Sequence, residues 1–412
     1  MIAPDVQLRR QPYPYRAMLA ICSDLDETPH RHTYWEIVRF LNTTEATAMG
    51  PGVGLEVGNS IYFGMSPEQF AYQTTDEAGR AMIRALIRSG HIDCLHSYGD
   101  RVGTREQAGR LLDELARHDC RLEVWVDHGI APSNFGQDIM HGHGDQRGHR
   151  AYHADLTVRH GIRYVWRGRV TSVTGQGTRP RLGGLLTAGY PLASGVTLGK
   201  EMAKQFLARC GSRKYAMHGP NSILQPATLR DGQQVYEFLR CNPHWGGVSS
   251  CDTAKGIAEV LTHGMLSRLA GREGVCILYT HLGKVADPRV PFNPSAVEAF
   301  RRLAYWQQAG NIMVTTTRRL LGFCRALLEV RFTAQREGQG VRIDLSTAGT
   351  GSTGQPLPER DLAGLTFYVP DPRHARVLLD GREMPGLRRN GPDHTGAPSV
   401  SLPWPALELP RW

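Results

Sequence analysis

Residues 17–28 read Ala17-Met-Leu-Ala-Ile-Cys-Ser-Asp-Leu-Asp-Glu-Thr28, and this segment sets the expected fold. Its apolar part, Met18 to Cys22, is typical of a strand buried on both faces of a parallel sheet. The strand leads directly into Asp24 and Asp26, which project to the same side of an extended chain because they are two residues apart. We therefore predict two carboxylates at the carboxyl end of a buried strand, where α/β proteins build their active sites. The other interpretation is an acidic turn that caps the next helix.

Strand and helix patterns alternate along the first 330 residues. This alternation predicts a parallel α/β architecture of seven strand–helix units, one short of the common eight-stranded barrel. The pair Thr104 and Gln107 is expected to cap one of the helices. Further strands are predicted at 54–63, 91–96, 122–127, 162–166, 274–280 and 311–316. Helices are predicted at 76–89, 104–118, 148–160, 253–269, 294–308 and 318–328.

Two regions depart from this alternation. Residues 170–250 are rich in Gly, Pro and Thr, and we interpret them as long substrate loops with short strands near Tyr215 and at 235–239. Beyond about residue 333, short strand-like segments are separated by Gly, Pro and Asp turns, which is typical of a small β-sandwich. The expected domains are therefore 1–330, a strand–helix domain with the loop insertion, and 331–412, a C-terminal β domain.

The composition is that of an ordinary globular protein, with 41% hydrophobic and 21% charged residues among 412. No apolar run approaches the roughly 20 residues that a membrane-spanning helix needs. The first residues lack a secretory apolar core, so we expect a cytoplasmic protein. None of the eight cysteines forms a C-x-x-C pair, which argues against zinc-ribbon and thioredoxin-like motifs and agrees with a reducing compartment.

The net charge of +9 comes almost entirely from arginine, because the chain has only five lysines. One denser arginine cluster lies between Arg163 and Arg181. No recognition helix or RNA-binding signature accompanies it, so nucleic acid is not an expected partner. An anionic glycan or a lipid headgroup fits better, since arginine binds carboxylates, sulfates and phosphates through two parallel hydrogen bonds.

Side chains suited to metal binding or proton transfer follow four of the predicted strands. They are Asp24 and Asp26, then His96 and Asp100, then Asp127 with His128 and Asn134, and finally His281. His96 and Asp100 are four residues apart across a tight turn, so both can face one metal ion. Two carboxylates held close together need a metal, a shared proton or a cation between them. Polar residues at a single strand end usually have only a structural role, but such residues at four strand ends favour an active site.

Two other features have two interpretations each. A segment rich in His and Gly contains His141, His143, His149 and His153, and it is either a solvated loop, which we favour, or an adventitious metal site. Trp245, in the sequence Asn-Pro-His-Trp-Gly-Gly, is either a platform on which a sugar stacks or a buried aromatic residue.

The motifs Asp24-x-Asp26, His96-Ser-x-x-Asp100 and Leu278-Tyr-Thr-His281, in this order, resemble those of the polysaccharide deacetylase (NodB-like carbohydrate esterase) superfamily. The resemblance covers roughly residues 15–325. It implies a distorted (β/α)7 barrel and metal-dependent removal of N- or O-acyl groups from sugars. It implies further that Asp24 is the catalytic base, that His281 is the general acid, and that one divalent metal is bound by Asp26, His96 and Asp100. Zinc suits the imidazole, while cobalt, nickel, manganese and iron stay open because two of the three ligands are carboxylates.

The chain departs from the family pattern at two places. Asp100 stands where the family has a second histidine, and the third motif, an Arg followed by Pro and Tyr, is absent after the fourth strand. We interpret five residues as substrate-binding, namely His128, Asn134, Arg167, Arg169 and Trp245. The two arginines follow the fifth strand, so an anionic glycan or a nucleotide-linked precursor is a candidate substrate. The alternative is that both arginines pair with nearby acids.

The expected function is a metal-dependent deacetylase that acts on a glycan containing amino sugars, or on its precursor, with water attacking the acyl carbonyl. Two other classes stay open. A glycoside hydrolase could pair Asp24 or Asp26 with Glu56 as acid and base. A catalytically inactive relative could retain the fold and bind glycans only. The sequence leaves open the identity of the sugar, the choice between amide and ester, and the oligomeric state.

Overall fold

The computed structural model describes residues 6–25, 27–185, 191–243, 250–347 and 351–412. The helices in these ranges are α1 Arg31–Asn42, α2 Glu77–Arg88, α3 Arg105–Arg117, α4 Ala154–His160, α5 Pro191–Arg209, α6 Ile257–Val260, α7 His263–Arg272, α8 Pro294–Gln308 and α9 Thr317–Glu329. The strands are β1 Gln7–Leu8, β2 Ala17–Ser23, β3 Ala46–Thr47, β4 Gly50–Pro51, β5 Asn59–Ile61, β6 Ile92–His96, β7 Val124–Val126, β8 Tyr164–Trp166, β9 Val170–Thr171, β10 Leu224–Thr228, β11 Gln234–Phe238, β12 Arg240–Cys241, β13 Val275–Thr280, β14 Ile312–Val314, β15 Arg331–Glu337, β16 Gly340–Ser346, β17 Thr366–Tyr368, β18 Ala375–Leu379, β19 Arg382–Glu383, β20 Arg388–Asn390 and β21 Ser399–Ser401.

The largest sheet is a curled half-barrel of mainly parallel strands. Its strand order is β10-β11-β8-β7-β6-β5-β2-β13-β12-β9, and β14 pairs with β2 outside this path. Within the path only β10 and β11 pair antiparallel. The prediction of a parallel α/β architecture is therefore confirmed, while the count of seven strand–helix units stays a prediction.

Strand β2, the apolar segment that leads into Asp24, lies at the centre of this sheet and is buried along its whole length. One edge pairs with β13 from Met18 to Ser23. The other edge is shared, because β14 pairs with residues 17–19 and β5 pairs with Ser23. Thus β14 and β5 pair with the same side of β2, one near its start and the other at its end. In a regular barrel a single strand pairs along each side of every strand, so this sheet departs from that arrangement.

The two faces of β2 contact different layers, as the alternation of a strand requires. Leu19 and Ile21 belong to a core shared with the surrounding helices, including Leu86 of α2 and Phe300 of α8. Met18, Ala20 and Cys22 face the concave side and share a second core with α9 and the C-terminal strands. Protein therefore covers both faces of β2, and the polar Asp24 follows at its carboxyl end.

Residues 170–250 contain more regular structure than the sequence suggested. Helix α5 has 19 residues, and strands β9, β11 and β12 join the half-barrel. The expectation of irregular loops is therefore wrong for α5, β9, β10 and β12, while the strand expected at 235–239 is present as β11 and the residues near Tyr215 form a short 3-10 helix. Gly195 and Gly199 lower the helix propensity of α5, and β9 and β12 are only two residues long, so neither gives a clear sequence pattern.

The C-terminal region forms two four-stranded sheets, one of β15, β16, β18 and β19 and the other of β1, β17, β21 and β20. Phe332 of the first sheet contacts Phe367 of the second with ring centroids 5.2 Å apart. A sandwich of these two sheets stays a prediction. Strand β1 comes from the N-terminal end of the described chain and pairs with β17, so residues 7–8 lie with the C-terminal strands although the expected boundary was at residue 330.

None of the helices in the described part of the chain combines the length and apolar character that a bilayer span requires.

Candidate functional site

The site is built around Asp24, which directly follows β2 and is 1% exposed. Its carboxylate accepts two hydrogen bonds from Arg240, at 2.8 Å from Nη1 to Oδ2 and 3.0 Å from Nη2 to Oδ1. Burial alone would raise the pKa of Asp24, but the guanidinium of Arg240 outweighs it and lowers the pKa to about 2. Asp24 is therefore ionised at every physiological pH.

Arg240 is itself completely buried, and aromatic rings hold it in place. Its guanidinium carbon lies 4.1 Å from the ring centroid of Trp166 and 5.1 Å from that of Tyr279. Nη2, which also donates to Asp24, contacts Sγ of Cys22 at 2.8 Å. Stacking, burial and a two-oxygen acceptor together fix one orientation of the arginine.

Sequence analysis missed Arg240, because it lies in β12, within the region that was interpreted as substrate loops. A signal was nevertheless present. The run Val235-Tyr-Glu-Phe-Leu-Arg-Cys241 places an arginine directly after an apolar strand pattern, and a buried arginine requires an acidic partner. That partner cannot be identified from the sequence, since Arg240 and Asp24 are 216 residues apart.

His96, the last residue of β6, lies beside Asp24. Its Nδ1 is 3.7 Å from Oδ1 of Asp24 and has no hydrogen-bond partner among the described residues. The ring of Tyr62 stacks on the imidazole at 4.3 Å between centroids. Burial lowers the pKa of His96 well below its ordinary value, so the imidazole is neutral and keeps a lone pair.

His281 completes the group from the end of β13, on the other side of β2. Its backbone N–H donates to the carbonyl oxygen of Asp252 at 2.7 Å, which fixes the start of the loop after β13. Burial lowers the pKa of His281 to about 4, although the charge of Asp24 acts in the opposite direction. Nδ1 of this ring also has no hydrogen-bond partner in the described ranges.

Asp100 forms a hydrogen bond with His128, and its place beside His96 as a metal ligand stays a prediction. Its Oδ1 lies 2.9 Å from Nδ1 of His128, and this hydrogen bond lowers the pKa of Asp100. The turn between His96 and Asp100 passes through Gly99, where a Cβ would lie 2.2 Å from the carbonyl oxygen of Gly64. This close approach, at a positive φ of 82°, is a backbone geometry that glycine permits and that a residue with a side chain does not.

His128 nevertheless lies at the site, because its ring centroid is 4.8 Å from that of His96. The neighbouring Asp127 and Asn134 support the loop that carries it. Asp127 accepts from Nε1 of Trp125 and from two backbone N–H groups, while Asn134 bonds to both backbone groups of His128. Asn134 is fully buried and engaged, so these contacts give it a structural role in the loop.

The two arginines proposed to bind substrate both have acidic partners. Arg167 donates to the two carboxylate oxygens of Glu237 at 3.0 and 2.9 Å. Arg169 donates to both oxygens of Asp138 at 2.9 Å and also lies 3.3 Å from Glu237. Their contacts therefore follow the alternative given above, in which the arginines pair with nearby acids.

Glu56, the second carboxylate of the glycoside hydrolase alternative, is also engaged. It accepts from Oγ1 of Thr315 and forms an ion pair with Arg319, both at 2.5 Å. Its partner in that alternative was Asp24 or Asp26, of which Asp24 is bound to Arg240 and Asp26 lies outside the described residues.

The side chains that could donate to a metal ion decide whether the site can bind one. Among the described residues, no group of three His, Cys, Asp or Glu side chains is arranged to hold one. Asp26 lies outside the described residues, as does Trp245. His96 does fit a metal, because its neutral imidazole has a buried nitrogen without a partner. Asp100 fits less well as a direct ligand, since His128 already binds its carboxylate.

Comparison with known proteins adds no assignment to this arrangement, because no family model, no curated protein and no solved structure matches the chain.

Proposed function

We propose that this chain is a metal-dependent hydrolase that removes an acetyl group from an amino-sugar-containing glycan or from a precursor of one. The observation that supports it most is the convergence of Asp24, His96 and His281, from three different strand ends, around the buried Arg240. The motif resemblance supplies the reaction class. The proposal includes a distorted (β/α)7 barrel, a C-terminal β-sandwich and a cytoplasmic location.

The proposed roles follow from the environment of each group. Asp24 is held ionised and oriented by Arg240, so it accepts a proton from the attacking water. His281, on the opposite side of β2 from His96, is neutral in the resting site because its pKa is about 4, so the proton that it passes to the departing nitrogen is one that it takes up during turnover. The aromatic walls of Trp166 and Tyr279 keep bulk water away from the Asp24–Arg240 pair.

His96 and Asp26 are the proposed holders of one divalent metal, with zinc preferred for the imidazole and cobalt, nickel, manganese or iron as alternatives. Such an ion would supply Lewis acidity, which polarises an acyl carbonyl and acidifies water. Asp100 was proposed as the third ligand, and its bond to His128 suggests that it acts by orienting that imidazole.

The contacts favour this function over a glycoside hydrolase. That class needs two carboxylates facing each other across the bond to be cleaved. Here Glu56, which the glycoside hydrolase alternative requires whether its partner is Asp24 or Asp26, is engaged with Arg319 and Thr315. A non-catalytic glycan-binding protein remains the second candidate, and it differs from an enzyme only in turnover.

Acetate release from N-acetylated oligosaccharides tests the catalytic roles. Asp24→Asn and His281→Ala should each lower kcat by about 100-fold or more, as expected when a proton-transfer group is lost. The exposed Asp113→Asn and His374→Ala serve as controls and should leave kcat unchanged. If either site variant keeps activity within a few-fold of the unmodified protein, that residue has no part in the mechanism.

Metal content, measured by elemental analysis, tests the ligands independently of turnover. His96→Ala and Asp26→Ala should lose the bound ion, Asp24→Asn should keep it, and Asp100→Ala should weaken it through His128. Full occupancy in both His96→Ala and Asp26→Ala would exclude these residues as ligands. Retained metal without acetate release from any amino sugar would favour the non-catalytic glycan-binding protein.

The charge of the substrate can be compared in the same assay. Because Arg167 and Arg169 already pair with acids, neutral and anionic acetylated oligosaccharides should be turned over with similar salt dependence. A strong preference for the anionic substrate that falls with salt and with Arg167→Ala would restore the arginines as substrate-binding residues.

A further inference from the structure

A cavity of about 650 Å³ lies at the end of β13 opposite to the candidate active site. It is lined by four chain segments, with Arg10 from the N-terminal segment, Arg179 and Arg181 from the loop after β9, Gly219 and Pro220 from the segment before β10, and Arg272 from the end of α7. Arg272 precedes β13 and His281 follows it. Six residues of strand at about 3.3 Å each place the two sites roughly 20 Å apart.

The arginines of this cavity carry a positive charge that the described part of the chain leaves without a counter-ion. Among the described residues, no carboxylate forms an ion pair with Arg10, Arg179, Arg181 or Arg272. The carboxylate of the adjacent Glu273 is engaged with His394 at 2.8 Å. Four unneutralised guanidinium groups around one concavity attract anions, since low-dielectric walls concentrate the field.

Arg272 shows how the arrangement is held. Its guanidinium donates to the backbone carbonyl oxygens of Thr174 and Arg181, the latter at 2.6 Å, so the side chain is positioned without being neutralised. Burial, together with the nearby charges of Arg268 and Arg181, lowers the pKa of Arg272. An anion in the cavity would relieve this repulsion.

The buried Asn221, which is 2% exposed, anchors the loop that carries Arg179. The side-chain amide of Asn221 donates to the carbonyl oxygens of Gly175 and Thr178 at 2.9 and 3.0 Å. The backbone carbonyl of Asn221 accepts from the N–H of Gly177 at 2.8 Å. The cavity wall is therefore formed before any ligand arrives, which lowers the entropic cost of binding.

We propose that this cavity binds a small molecule carrying at least two phosphoryl groups, at a site separate from the catalytic one. The planar guanidinium matches two oxygens of a phosphoryl group, and four of them exceed what a single phosphate needs. A volume near 650 Å³ lies within the range of small-molecule sites, so the remainder of a diphosphate ester also fits. Inorganic pyrophosphate and a nucleoside diphosphate share this chemistry.

Calorimetric titration of the full chain with inorganic pyrophosphate tests the site directly, without reference to the proposed deacetylase activity. Arg179→Ala combined with Arg181→Ala removes two exposed side chains and should weaken binding about tenfold or more, as the loss of charge-assisted hydrogen bonds does. The matched control is Arg336→Ala with Arg388→Ala, two exposed arginines of β15 and β20, which removes the same charge and should leave the affinity unchanged.

Comparison ligands define the chemistry. ADP or UDP binding more tightly than pyrophosphate would identify a nucleotide as the source, and equal affinity would identify the diphosphate group alone as the recognised feature. Citrate has several negative charges but no phosphoryl group, so equal binding of citrate would overturn the assignment. Absence of pyrophosphate binding at millimolar concentration would also overturn it, as would an equal loss of affinity in the control pair.

Discussion

Arg240 and Asp24 form an ion pair that is buried from solvent. Removing one partner of such a pair lowers the free energy of unfolding by more than the intact pair adds to it, because the other charge is left buried alone. Arg240→Met would leave the Asp24 carboxylate buried without its partner, so we expect the free energy of unfolding to fall by about 3–5 kcal/mol. The double variant Asp24→Asn with Arg240→Met removes both charges and should lose less than the sum of the single changes. Urea denaturation of the four proteins measures this coupling.

The exposed pair of Arg376 and Glu383 provides the comparison, with its side chains about half accessible. Ion pairs in solvent contribute little, so the same cycle there should give a much smaller coupling. Additive effects of the Arg240 and Asp24 changes would show that the two side chains do not depend on each other in solution.

His153 illustrates how burial can be tested through pH. Its Nε2 lies 2.8 Å from the carbonyl oxygen of Ser133, which can only accept, so Nε2 carries the proton. Nδ1 then accepts from the hydroxyl of Thr157, which in turn accepts from Tyr98. His153 was expected in a solvated loop, but it is 1% exposed, and this part of the expectation is wrong.

Burial lowers the pKa of His153 from 6.5 to about 4, which links protonation to unfolding. Between these values the unfolded chain binds more protons than the folded one, so stability is complete above about pH 6.5 and falls as the pH drops towards 4. The contribution of this one group is about 3 kcal/mol. His153→Gln removes it, so the stability difference between the unmodified protein and the variant should shrink by this amount from pH 7 to pH 4. If the free energies of unfolding of the two proteins changed with pH in parallel, protonation of His153 would not be linked to unfolding.

At the scale of single elements, helix α3 shows local sequence signals that act as expected. The predicted cap is present, since Oγ1 of Thr104 accepts from the N–H of Gln107, whose side chain accepts from the N–H of Thr104. Thr104→Ala should therefore lower the free energy of unfolding by about 1 kcal/mol. Asp113→Ala, on the exposed face of the same helix, is the control and should change stability little. An effect of Thr104→Ala no larger than that of the control would show that the cap is not used.

Elements with a long apolar or amphipathic pattern could be predicted from the sequence. Helix α8 spans Pro294–Gln308 as expected, and β2 and β13 match their predicted strands within one or two residues. Each of these carries its own periodicity, and the neighbours along the chain are sufficient to define it. The predicted helix at 253–269 is instead the two helices α6 and α7, because Thr262 caps the second.

Contacts between distant segments could not be predicted in the same way. Strand β12 has only two residues, yet it brings Arg240 to Asp24, and no local pattern records that pairing. Asp100 was placed beside His96 by spacing, and that spacing gave no sign of its hydrogen bond to His128, in the loop after β7. Strand ends therefore identified where the site lies, while its internal pairing depended on the fold.

For the whole molecule, one apolar core connects the half-barrel to the C-terminal strands. Ile277 of β13 and Ile343 of β16 both belong to it, and each is completely buried. The concave side of the sheet thus has no separate core of its own against which it could fold alone. A chain of 412 residues ordinarily unfolds in several steps. The shared core predicts instead that the half-barrel and the C-terminal strands unfold together in one step.

Truncation of either isoleucine should destabilise the same cooperative unit. Ile343→Ala and Ile277→Ala should each lower the free energy of unfolding by about 2–5 kcal/mol, the usual cost of a large-to-small change in a core. Far-UV circular dichroism, which reports mainly on helices, and tryptophan fluorescence should give one coincident transition for each variant. If the C-terminal strands folded independently, Ile343→Ala would move only one phase and leave the helical signal at its original midpoint. Coincident transitions that shift together would instead show that β16 stabilises the strands that hold Asp24 and His281 in place.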